Sequence, residues 1–166
     1  SECSIDVDIT GNDIVIPDIV EDSNGYTYAV TMIGHYAFVE LTSITSVILP
    51  ESVTYIDKSA FFGCTGLKDF NLQECISLGD YAFYCCTGLK EVNLPECISL
   101  GEYAFKGCTG LTELTIPSGL ATCGNYVFEG CTGLTSVTVS EGVKSLPSDM
   151  FYGCTGLTSV QLPNKL

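Results

Sequence analysis

Leu78-Gly79-Asp80-Tyr81-Ala82-Phe83-Tyr84-Cys85-Cys86-Thr87-Gly88-Leu89-Lys90-Glu91-Val92-Asn93-Leu94-Pro95 recurs, in variant form, along almost the whole 166-residue chain. Its phenylalanine returns as Phe38, Phe61, Phe83, Phe105, Phe128 and Phe151, at intervals of 23, 22, 22, 23 and 23 residues. Self-similarity at a fixed period in the twenties marks a solenoid, in which each coil buries one face against its neighbours.

Counting from each phenylalanine aligns the other positions. Five before it stand Ile33, Ile56, Leu78, Leu100, Cys123 and Leu146; one before it stand Ala37, Ala60, Ala82, Ala104, Val127 and Met150. Six after it come Ile44, Leu67, Leu89, Leu111, Leu134 and Leu157. Nine after come Val47, Phe70, Val92, Leu114, Val137 and Val160, and eleven after come Leu49, Leu72, Leu94, Ile116, Val139 and Leu162. Columns this uniformly apolar point inward. The later positions read L-x-x-L-x-L, alternating as a strand with one buried face does, and Pro50, Pro95, Pro117 and Pro163 end it. The pattern predicts a leucine-rich-repeat solenoid of α/β type, with a parallel sheet on one wall. The opposite wall is expected to carry short strands at Val53 to Ile56 and Val143 to Leu146, and a helical turn at each Tyr-Ala-Phe. Gly63, Gly107, Gly130 and Gly153 follow that turn, where a chain leaving it needs positive φ.

Residues 1–32 read as an N-terminal cap and degenerate repeat, with a strand through Ile5, Val7 and Ile9, a turn at Gly11-Asn12-Asp13, and an insertion over Glu21 to Tyr28 built round Asn24-Gly25. Residues 33–166 read as six repeats of 22–23 residues, the last incomplete. The final strand lacks a polar cap, which predicts edge-to-edge self-association there. Ser1-Glu2-Cys3 has neither the basic nor the apolar part of an export signal, and no anchoring segment is present; the expectation is a cytosolic chain or a trimmed mature form.

These columns resemble the BspA-like leucine-rich-repeat family, whose motif is I-G-x-x-A-F-x-x-C-x-x-L-x-x-(V/I)-x-(L/I)-P. It stands here as Ile56 to Phe61, Cys64, Leu67, Phe70 and Leu72, and the Leu100 to Pro117 copy follows it closely. The resemblance covers residues 33–166 well and 14–32 loosely; Leu41 replaces the cysteine, and Gln73 and Ser140 replace the proline. It implies a secreted or cell-surface, adhesin-like module that binds protein or glycan, on a host surface or matrix, and is not an enzyme. The other reading is a structural spacer, part of a longer array with no ligand of its own.

The charge balance narrows the partners. Twenty Asp and Glu face six Lys, with no Arg, for a net charge of −14. That argues against nucleic acid and anionic membranes as partners, and there is no run of eighteen apolar residues to predict membrane insertion. It also fits the plainer view that the acidity only keeps a repeat protein soluble.

Candidate partner-binding residues are the outward strand positions and an aromatic column. Asp69, Glu91 and Glu113 share one outward column; Asn71, Asn93 and Thr115 share the next. The carboxylates are read as a solvated face, a partner contact, or oxygen ligands for a cation; a flat wall with Lys68 and Lys90 beside them gives no pocket to tune one for catalysis. Tyr81, Tyr103 and Tyr126, two before each phenylalanine with Tyr36, either stack on sugar rings or grip protein, or lie over the coil edge with hydroxyls in water. No catalytic residue, cofactor or metal site is expected. His35 falls in a polar column. Cys64, Cys86, Cys108, Cys131 and Cys154 share one column, and Cys75 and Cys97 another, so they are read as small buried hydrophobes with free thiols. Cys85 stands where other repeats have glycine, and Cys3 is expected to be exposed.

Overall fold

The computed structural model describes residues 8–164, with 8–10 and Asp69 by their backbone alone. Cys3, Ile5, Val7, Lys165 and Leu166 lie outside the described residues. Two antiparallel hairpins open the chain: β1 (Asp8–Thr10) with β2 (Asp13–Val15), and β3 (Ile19–Glu21) with β4 (Thr27–Ala29). The coils then contribute β5 (Met32–Ile33), β6 (Ser46–Ile48), β7 (Tyr55–Ile56), β8 (Asp69–Phe70), β9 (Ser77–Leu78), β10 (Ser99–Leu100), β11 (Glu113–Ile116), β12 (Thr122–Cys123), β13 (Ser136–Val139) and β14 (Ser159–Gln161).

These strands build two walls of parallel ladders. The side wall is one five-stranded sheet in the order β12-β10-β9-β7-β5. The front wall is two sheets, β1-β2-β6-β8 and β11-β13-β14. Register follows the count from phenylalanine: Ser46 pairs with Asp69 and Val47 with Phe70, while Leu114 pairs with Val137 and Val137 with Val160.

The phenylalanines form a continuous stack through the core. Successive ring centroids from Phe38 to Phe151 lie 5.1, 5.2, 5.2, 5.3 and 5.8 Å apart and nearly parallel. Phe61, Phe83, Phe105 and Phe128 are fully buried. The inward columns are buried through most of the middle coils, Phe70 and Cys123 only partly, and open further at the ends, where a coil has one neighbour. Ala37, Val160 and Leu162 are exposed there, against the expectation for their columns.

Two expectations for the remaining wall are corrected. No helix forms at Tyr-Ala-Phe, and Val143 to Leu146 is not a strand. The reason for the first is a left-handed residue two before five of the six phenylalanines: φ is 58° at Tyr36, 55° at Ser59, 58° at Tyr81, and 57° at Tyr103 and Tyr126. One such residue per turn breaks the helical i→i−4 pattern. Alternate N–H groups instead donate to the next coil, as Phe61 N to Ala82 O (2.8 Å), Phe83 N to Ala104 O (2.7 Å) and Phe105 N to Val127 O (2.9 Å). The turn segment thus forms a third intercoil ladder. Gly63, Gly107, Gly130 and Gly153 do take positive φ, and Glu40 and Cys85 take it in the same column.

The cysteine column does more than fill space. Each thiol donates to the phenylalanine carbonyl of the preceding coil: Cys64 to Phe38 O (2.9 Å), Cys86 to Phe61 O (3.0 Å), Cys108 to Phe83 O (3.1 Å), Cys131 to Phe105 O (3.2 Å) and Cys154 to Phe128 O (3.0 Å). The nine described cysteines that are free include all of these and Cys85. Burial pushes Cys64 and Cys97 up to about 11 and Cys75 and Cys123 up to about 12. The folded chain therefore keeps thiol protons that the unfolded chain loses near its ordinary thiol pKa of about 8.5. Between the two values the unfolded chain binds fewer protons, so stability falls as pH rises. Under reducing conditions, urea unfolding is expected to give constant stability up to about pH 8 and a steady loss above it; Cys75→Ala with Cys97→Ala flattens that slope.

Candidate functional site

The two interruptions in repeat length locate the break in the front wall. The coils from Phe61 to Phe83 and from Phe83 to Phe105 have 22 residues; the other complete coils have 23. The missing residue lies in the bend from front to side wall, six steps from Leu72 to Leu78 but seven from Leu49 to Ile56. The short bends tuck in Cys75 and Cys97, where long ones tuck in the larger Val53 and Val143. One residue is about 3.3 Å of extended chain. The side wall stays paired through β7, β9 and β10, so the front wall takes up the shortfall. There β8 has only two residues, and no strand forms over residues 91–94. Among the described residues the backbone N–H groups of Glu91, Val92 and Asn93 find no acceptor.

An open groove of about 670 Å³ runs along this seam. Its floor is apolar: Val47, Leu49 and Phe70, whose ring meets Phe61 and Phe83 edge-on at 4.8 and 5.0 Å. Ile48, 58% exposed and paired across the sheet with exposed Val15, forms an apolar lip. Lys68, Asn71, Lys90, Glu91 and Asn93 supply the polar lining. Lys68 and Lys90 are exposed and make no ion pair among the described residues; Lys106 with Glu129, at 3.0 Å, does. At the N-terminal end of the wall, Asp13 accepts from Ser46 Oγ (2.7 Å) and Thr45 Oγ1 (2.9 Å), and these hydroxyls hold its pKa below the usual carboxylate value.

The candidate residues fall on two separate surfaces. Asn71, Glu91 and Asn93 come together in the groove, while exposed Glu113 and Thr115 stand on β11 beyond the seam. Asp69 is placed beside Ser46 by its backbone; its side chain lies outside the described residues. Among the described residues, no three of His, Cys, Asp and Glu form a group that could hold a metal.

Tyr81, Tyr103 and Tyr126 lie elsewhere, over the turn edge. Their rings stack on one another at 5.1 and 5.3 Å, so the faces between them are covered. Lys106 Nζ sits 5.0 Å from the Tyr103 centroid and 5.9 Å from that of Tyr84, and its hydrogen bond to Glu129 raises its pKa. A sugar ring needs an uncovered aromatic face, which the middle of this ladder does not offer. Sequence reasoning placed Lys68 and Lys90 beside the carboxylate column but missed the seam they line, although the 22-residue intervals marked the two short coils.

A family model described as BspA type leucine rich repeat region matches six copies, over residues 26–98 and 76–166. Similar solved structures are bacterial. A leucine-rich repeat protein of T. pallidum is 29% identical with a TM-score of 0.82, covering 91% of this chain and 69% of that one. One from Bacteroides ovatus is 29% identical with a TM-score of 0.80, covering 90% and 41%. A leucine rich cell surface protein from Faecalibacterium prausnitzii is 26% identical with a TM-score of 0.77, covering 91% and 47%. The chain thus spans less than half of the last two. No curated protein matches it significantly. No helix among the described residues is long and apolar enough to cross a membrane.

Proposed function

The chain belongs to the BspA-type leucine-rich-repeat family, and from that premise we propose that it is a non-enzymatic interaction module, secreted or displayed at a cell surface, whose front wall recognises a protein or glycan. One observation carries this reading. The front wall presents exposed Asn71, Glu91 and Asn93 in an open groove and exposed Glu113 and Thr115 on β11 beyond it, with its backbone ladder interrupted between them. A wall that served only to join coils has no use for that interruption. The similarity to a structure titled as a cell surface protein supports the location.

Replacing Asp69, Glu91 and Glu113 together by serine tests the reading. These are positions on the outward column, so thermal melting is expected to stay within about 0.5 kcal/mol per site. Binding to cells or extracellular matrix is expected to fall. Unchanged binding, or none by the parent chain, would favour the spacer.

A further inference from the structure

Resting on that reading, we propose that the seam is a docking groove for an extended peptide of a protein partner, one that presents a large apolar side chain next to a single carboxylate. Three features of the groove select this occupant. Its floor of Val47, Leu49 and Phe70 with the Ile48 lip receives an apolar side chain, and its volume lies within the 300–1,000 Å³ of ordinary ligand sites, on the order of one or a few side chains. Lys68 and Lys90 occupy equivalent positions of adjacent coils and make no ion pair among the described residues, so one carboxylate can bridge both ammonium groups. The N–H groups of Glu91 and Asn93, which find no acceptor among the described residues, and the side chain of Asn93 supply hydrogen bonds to a peptide backbone, as the free groups of an exposed sheet edge do in strand addition.

The same features argue against the other classes. Glu91 stands within the groove and the chain carries a charge of −14, so a polyanion is repelled while a lone carboxylate is not. The outward columns of the front wall hold no aromatic ring on which a sugar could stack.

The test uses the 166-residue chain and fluorescein-labelled heptapeptides containing Phe-Glu, Phe-Gln, Phe-Lys or Ala-Glu in a Ser/Thr frame, read by anisotropy at low and high salt. Phe-Glu is expected to bind roughly tenfold or more tighter than each of the others, with a salt-dependent advantage over Phe-Gln. Lys68→Ala with Lys90→Ala is expected to erase that advantage. Both lysines are exposed, so the variant keeps its fold. A second variant lengthens each short bend by one residue, putting the sequence of residues 50–54 in place of 73–76 and of 95–98. It is expected to close the seam and lose all peptide binding while keeping the β spectrum. Equal binding of Phe-Glu and Phe-Gln by the parent chain, or a Phe-Glu advantage that survives in the lysine variant, would overturn the proposal. If no peptide binds while the parent chain still binds cells or matrix through Asp69, Glu91 and Glu113, the groove proposal falls and the front-wall reading stands. If neither binding is found, both fall.

Discussion

Phe83→Ala is expected to lower the unfolding free energy by roughly 3–5 kcal/mol, the usual range for emptying a fully buried aromatic site. The ring is fully buried, lies 5.2 Å from both Phe61 and Phe105, and receives the Phe70 edge at 5.0 Å. Its neighbours cannot close the gap, because the side-wall ladder and the intercoil bonds of the turn segment hold the coils at fixed spacing. A domain of this size has roughly 5–15 kcal/mol in total, so the loss removes a large share. In a solenoid the damage is also positional. Each coil is stabilised only by its neighbours, and a void at Phe83 uncouples the coils before it from those after it. Urea unfolding is expected to shift its midpoint downward and to broaden or split. Phe151 is partly exposed, with one stacked neighbour at 5.8 Å, so Phe151→Ala is expected to have a clearly smaller effect. Equal losses at the two sites would mean that the stack does not carry the fold.

How much of this was legible in the sequence depends on whether a feature repeats in side-chain chemistry or in backbone geometry. The phenylalanine stack, the buried alanine and cysteine columns and the pairing of Ser46 with Asp69 follow from counting, since burial imposes its pattern on side chains. The left-handed tyrosines were not legible. Positive φ has a strong signature only at glycine, and a tyrosine at φ near 57° looks like any surface aromatic. The helical turn expected there failed for that reason. The thiol-to-carbonyl bonds were also hidden, because a cysteine that donates and one that merely packs are the same letter. The candidate site was half legible. Alternation identified the outward columns, but it assumes one continuous sheet. The 22-residue intervals mark two short coils, but only the geometry shows that the sheet breaks there and that the tyrosine ladder belongs to a different face.

Gly110→Ala is expected to be as damaging as losing the ring, for a reason unrelated to burial of apolar area. A Cβ on Gly110 would lie 2.5 Å from Thr87 O and 2.6 Å from Leu89 O, both backbone atoms of the preceding coil. Gly66, Gly88, Gly133 and Gly156 are in the same position, each within 2.2–2.7 Å of a carbonyl oxygen one coil back. No rotamer change relieves a clash between Cβ and backbone, so the coil must lift away from its neighbour. That strains the ladder on the turn wall and opens the phenylalanine stack together, a loss of roughly 3 kcal/mol or more. Gly130 supplies the control. It has φ +68° and nothing within 4 Å of a built Cβ, so Gly130→Ala carries only the left-handed penalty of about 1–2 kcal/mol. Thermal unfolding of the two variants separates the effects, and amide exchange is expected to speed up on both sides of the Gly110 bend but only locally at Gly130. Should the two alanines prove equally mild, the close approach of successive coils at the Thr-Gly bend would not be what sets their spacing. The phenylalanine stack and the backbone ladders would then have to hold the coils in register.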